Sequence, residues 1–142
     1  MLTYRRGREI GLPWPAFAIA LVALVATAGC GNRGLHRVSG KVSFPDGSPV
    51  VAGRVVVDCG NGRMSVGRIR SDGSFQMGML TESDGMPAGT FRVAVKDALV
   101  PKSDTSSEFL TIVHSRFADP ATSGLEFTVP DQLVWKIVVE KP

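Results

Sequence analysis

The chain has 142 residues, room for one ordinary domain, and its 44% apolar and 20% charged residues place it among globular proteins. Its net charge of +3 is concentrated in the first 29 residues, where Arg5, Arg6 and Arg8 face only Glu9; the remainder carries 13 basic and 12 acidic side chains. The basic pI is therefore no argument for a nucleic-acid partner.

In chain order, the three arginines precede a thirteen-residue apolar run, 16–28, that ends in Ala26-Thr27-Ala28-Gly29-Cys30. A basic start, a short apolar middle and small residues at the end describe a secretory signal peptide over 1–29. At about 1.5 Å per residue a helix over that run spans only ~20 Å, short of a ~30 Å hydrocarbon core, which disfavours an uncleaved transmembrane anchor. Ala28, Gly29 and Cys30 resemble the lipobox of bacterial lipoproteins, with Thr27 standing where that family usually carries Leu. The resemblance implies that Cys30 becomes the first residue of the mature chain and carries palmitate-type acyl chains. Each buried methylene contributes about 0.8 kcal/mol, so several chains would hold the protein on a membrane permanently. The expected location is the cell envelope, facing the periplasm or the cell surface. The alternative is ordinary cleavage near Ala28 and release of a soluble chain. Residues 30–36 then form a short tether, and 37–142 the domain.

From Arg37 onward the period is two, the mark of half-buried strands. Val38, Val42 and Phe44 alternate with Ser39, Lys41 and Ser43, and Gly40 falls on the apolar face, where a bulge or a close backbone approach belongs. Arg54 to Cys59 and Met64 to Arg70 flank Asn61-Gly62, the strongest short hairpin signal. Phe75, Met77 and Met79 make the next run, and Phe91, Val93 and Val95 another. A polar loop follows over Asp97 to Glu108, then Phe109 to His114, Leu125 to Val129 and Trp135 to Val139. About eight strands with turn signals every 8 to 12 residues and no helix predict an all-β sandwich. Its core should hold Val38, Val42, Phe44, Val55, Val57, Ile69, Phe75, Met77, Phe91, Val93, Val95, Leu125, Phe127, Val129, Trp135, Ile137 and Val139.

Five segments together resemble the carboxypeptidase-regulatory-like domain found in small lipoproteins of planctomycete type: 38–42, 46–50, 71–75, 87–95 and 116–125. The resemblance implies a transthyretin-like Greek-key sandwich of seven strands, in an accessory, structural or binding role, and carries no chemistry of its own. Asp72-Gly73-Ser74-Phe75 and Pro87-Ala88-Gly89-Thr90-Phe91 are turn-to-strand motifs with folding reasons of their own.

Candidate chemistry is sparse. His36 and His114 have no zinc spacing, and no Asp-x-Asp-x-Asp-Gly calcium loop is present, so neither a metal nor a cofactor is expected. His114, Ser115 and Asp119 make a triad only on paper, because no nucleophile elbow surrounds the serine. Cys59, two residues beyond Val57, falls on the core face as an unreactive thiol; the alternative is an exposed thiol open to an intermolecular disulfide. Arg54, Arg63, Arg68, Arg70, Arg92, Lys96 and Lys136 lie at outward or turn positions and either keep strand edges soluble or form a face for anionic groups. The expectation is a lipid-anchored, non-enzymatic envelope module whose partner, besides the membrane, is an envelope protein or polysaccharide. The alternative is a secreted hydrolase accessory or weak hydrolase with a site in the 97–119 loops.

Overall fold

The computed structural model describes residues 34–142; the signal peptide expected over 1–29 and the expected acylation site Cys30 lie outside the described residues. In chain order come β1 (Leu35–His36), β2 (Ser39–Ser43), β3 (Arg54–Gly60), β4 (Arg63–Arg68), β5 (Ser74–Gln76), β6 (Met86–Pro87), β7 (Gly89–Lys96), β8 (Leu99–Pro101), β9 (Phe109–Thr111), a 3-10 helix (Ser115–Ala118), β10 (Leu125–Val129) and β11 (Val134–Val138). The protein is all-β, and two sheets form the sandwich. One has strand order β10-β7-β3-β4, all antiparallel neighbours; the other is β11-β2-β5, in which β11 runs parallel to β2. Short ribbons pair β1 with β6 and β8 with β9.

The alternation read from the sequence decides which faces meet. Val55 and Val57 of β3, Val93 and Val95 of β7, and Val42, Phe75 and Ile137 of the other sheet are all buried against one another. Full burial of such side chains contributes about 1.5–3 kcal/mol each. Phe91, Leu125 and Phe127 are only partly buried and pack at the margin of this core. Gly40 explains itself by close approach. It lies between Trp135 and Phe75 in register, and a Cβ there would run into the Trp135 carbonyl and the Phe75 ring. Both buried serines are satisfied: Ser65 Oγ donates to the Gly78 carbonyl at 3.3 Å and Ser123 Oγ to the Val93 carbonyl at 2.6 Å.

Four expectations need correction. Leu35 and His36, read as tether, pair with Pro87 and Met86, so the domain begins earlier than Arg37. The 97–108 stretch, read as polar loop, opens with β8, because Leu99 to Pro101 finds a partner in Phe109 to Thr111. The run of Phe75, Met77 and Met79 stops being strand at Gln76: Met77 N donates to the Val38 carbonyl, and Gly78 then bridges to Val66 on the edge of β4. A helix was not expected, yet His114 Nδ1 accepts from Arg116 N at 3.2 Å and caps a single 3-10 turn that buries Phe117.

Register also fixes the two ends of the sandwich. Gly34 leads into β1, which lies beside the start of β7; this is the proximal end. Arg54 sits opposite both Arg68 and Lys96 at the distal end, together with the β8–β9 ribbon and the last residues of β11.

Candidate functional site

The residues proposed for hydrolysis do not assemble. His114 spends Nδ1 on the Arg116 amide, and the Asp119 carboxylate accepts from Ala121 N at 2.8 Å in a local turn. Among the described residues no hydrogen bond joins His114 to Ser115 or Asp119, and no three His, Cys, Asp or Glu side chains converge as metal ligands. Cys59 is a free, half-buried thiol packed against the core, and burial pushes its pKa up, with Asp58 adding to the rise against an opposing hydrogen bond from the Ser65 backbone.

The acidic turn residues serve the fold. Asp46 accepts from both the hydroxyl and the amide of Ser48, and Asp72 does the same with Ser74; these bonds, hydroxyl first, hold both carboxyls below the usual value. Asp84 works differently. Partial burial pushes its carboxyl up, but the amides of Met79 at 2.7 Å, Leu80 at 3.0 Å and Thr81 at 3.3 Å outweigh that and hold it low. The 79–81 loop is a concavity of backbone N–H groups already filled by its own anion.

The basic residues divide between the two sheets. Lys136 lies on the outer face of β11, directly opposite Lys41. Arg63 sits at the β3–β4 turn, toward the proximal end. Arg68, Arg54 and Lys96 form one row across three strands at the distal end, their side chains all on the outer face because Val55, Val95 and Gly67 point inward. Strand neighbours lie about 4.8 Å apart, and like charges directly opposite are destabilising. Among the described residues, only Arg54 of these three is relieved, by an ion pair with Asp97.

Beside this row is a cleft of about 740 Å³, where the chain leaving β5 wraps past the edge of β4. Arg68 and Arg70 line it with Gln76, Ser71, Thr81 and Glu82, and Val51, Met79 and Leu80 supply apolar surface. Leu80 is 88% exposed at the rim. Among the described residues neither Arg68 nor Arg70 joins an ion pair. Of the basic residues picked out in the sequence, these two share a cavity; the enclosing loop was missed because its first part, Met77 and Met79, reads as the continuation of the Phe75 strand. Comparison with protein families, curated proteins and solved structures finds no match to this chain. Among the described residues no helix is long and apolar enough to cross a membrane.

Proposed function

We propose that this chain is a lipid-anchored, non-enzymatic binding module of the cell envelope, a sandwich of the carboxypeptidase-regulatory-like, transthyretin-like kind, held by acyl chains on Cys30 after removal of residues 1–29. The observation that carries the reading is the polarity of the sandwich. Gly34 leads in at one end, while Arg68 and Lys96, which join no ion pair among the described residues, sit at the other with the exposed Leu99, Phe109 and Leu110. Met64, Leu133 and Val134 are exposed at the first end, and the cleft runs along the β4 edge toward the cation row. From Cys30 to Gly34 the backbone reaches at most about 14 Å, at 3.3–3.6 Å per residue, so an acylated Cys30 would keep the proximal end near the bilayer and turn the distal end outward. Binding is favoured over hydrolysis because the distal groups are cations and apolar surface without a joined nucleophile and base.

Intact mass spectrometry of the chain from membranes tests the anchor. The expected result is a diacylglyceryl-modified Cys30 at the mature N-terminus, and a Cys30→Ser chain that leaves the membrane fraction. Unprocessed Met1, or a soluble chain starting after Ala28, overturns it. Photo-crosslinking from Lys96 in intact cells should capture envelope polymer or protein; crosslinks to lipid alone would reverse the assigned orientation.

A further inference from the structure

We infer that the cleft between β4 and the 76–82 loop is a binding site for an acidic glycan, with Arg68 and Arg70 taking successive carboxylates along the polymer. This rests on the binding-module reading and names its ligand. Three observations lead to that class. The first is spacing: Arg68 is the last residue of β4 and Arg70 follows two residues on, at most about 7 Å away along the backbone, while Arg54, one strand over, is already engaged by Asp97. An array of separate guanidiniums suits a chain of separate anions better than one compact ion. Each guanidinium presents a planar fork that matches a carboxylate with two hydrogen bonds.

The second is the filled loop. A small phosphate would use the convergent amides of Met79, Leu80 and Thr81, but the Asp84 carboxylate already holds all three. What remains for a ligand is side chains. The third is the mixed lining: Ser71, Gln76, Thr81 and Glu82 offer donors and acceptors to hydroxyl groups, and Val51, Met79 and Leu80 offer an apolar wall to the C–H face of a sugar ring. Glu82 is an acceptor for sugar hydroxyls.

The test uses the full-length chain in detergent micelles, titrated by calorimetry with polygalacturonate, neutral dextran, inorganic phosphate and phosphatidylglycerol vesicles. Polygalacturonate should bind and dextran should not. The double variant Arg68→Gln, Arg70→Gln removes two charge-assisted contacts and should weaken polygalacturonate more than about tenfold. Lys41→Gln with Lys136→Gln removes the same charge from the other sheet and should leave it within about twofold. Val51→Glu, which places an anion in the cleft wall, should weaken binding as well and covers the case in which the arginine pair fails to fold. Equal loss from both double variants, no binding of polygalacturonate, or cleft-dependent binding of phosphate or vesicles in its place overturns the site. An acylated Cys30 with distal crosslinks would leave the module reading standing in each of those cases.

Discussion

The two ends of the sandwich are finished differently. In the proximal half the core is closed by aromatic packing: Phe127 stacks on Trp135 with centroids 4.7 Å apart and planes 9° from parallel, Phe75 tilts against the same indole at 6.4 Å, and Trp135 Nε1 donates to the Gln132 carbonyl at 2.9 Å. At the distal end like charges sit in register, and Phe109 is 61% exposed at the tip of a two-stranded ribbon. Both ends bury apolar residues, Ile69, Val95 and Val139 at the distal one; the difference is on the surface, where the distal end leaves unfavourable neighbours in place. A surface that tolerates that cost is free of the packing that fixes the core, which is where binding groups are carried.

The contrast can be broken most directly at Trp135. Trp135→Ala should destabilise the chain by about 3–5 kcal/mol in urea unfolding, because the cavity cannot collapse between two sheets. A loss under 1 kcal/mol would mean the aromatic cluster is not the closure described. Gly40→Val should follow at about 1–3 kcal/mol, since a Cβ there runs into the Trp135 carbonyl of the paired strand as well as the Phe75 ring, so backbone and ring must both shift.

Asp84→Asn probes the boundary of the cleft and should remove about 1–2 kcal/mol, as a carboxylate accepting three amides becomes a single carbonyl acceptor. The pH dependence gives the sign. The carboxyls of Asp46, Asp72 and Asp84 titrate lower in the fold than their ordinary value of 3.8, so their stabilisation is complete above that value and is lost as pH falls through the lower folded values. Melting temperature should decline below about pH 4, and the decline should be shallower in Asp84→Asn. The smallest effect belongs to the distal tip: Phe109→Ser should shift stability by no more than about 0.5 kcal/mol, and a larger loss in thermal unfolding would make that ribbon part of the core.

Much of the fold was legible because period-two patterning and burial are the same fact seen twice. Val55, Val93 and Ile137 were placed inward by their neighbours alone, and all are buried. Val113 and Phe117 are buried too, but they enter the core from a bend and a single 3-10 turn, which are too short to repeat any pattern. Val56 and Ala94 are buried on the outer face of their sheet, where they lie opposite each other in register. Alternation alone assigns those positions to solvent. For the site, residue type marked Arg68 and Arg70 as outward cations. That they share a cleft depends on Gly78 bridging to Val66, a pairing between segments that no local pattern announces.

The parallel partnership of β11 with β2 has a mechanical consequence. Because the first and last long strands run side by side in the same direction, Gly34 and Pro142 leave the sandwich at opposite poles. Tension between those poles would load the β2–β11 hydrogen bonds in shear, all sharing the force at once instead of unzipping singly. A module tugged at its far pole would resist as a clasp does, yielding late and abruptly.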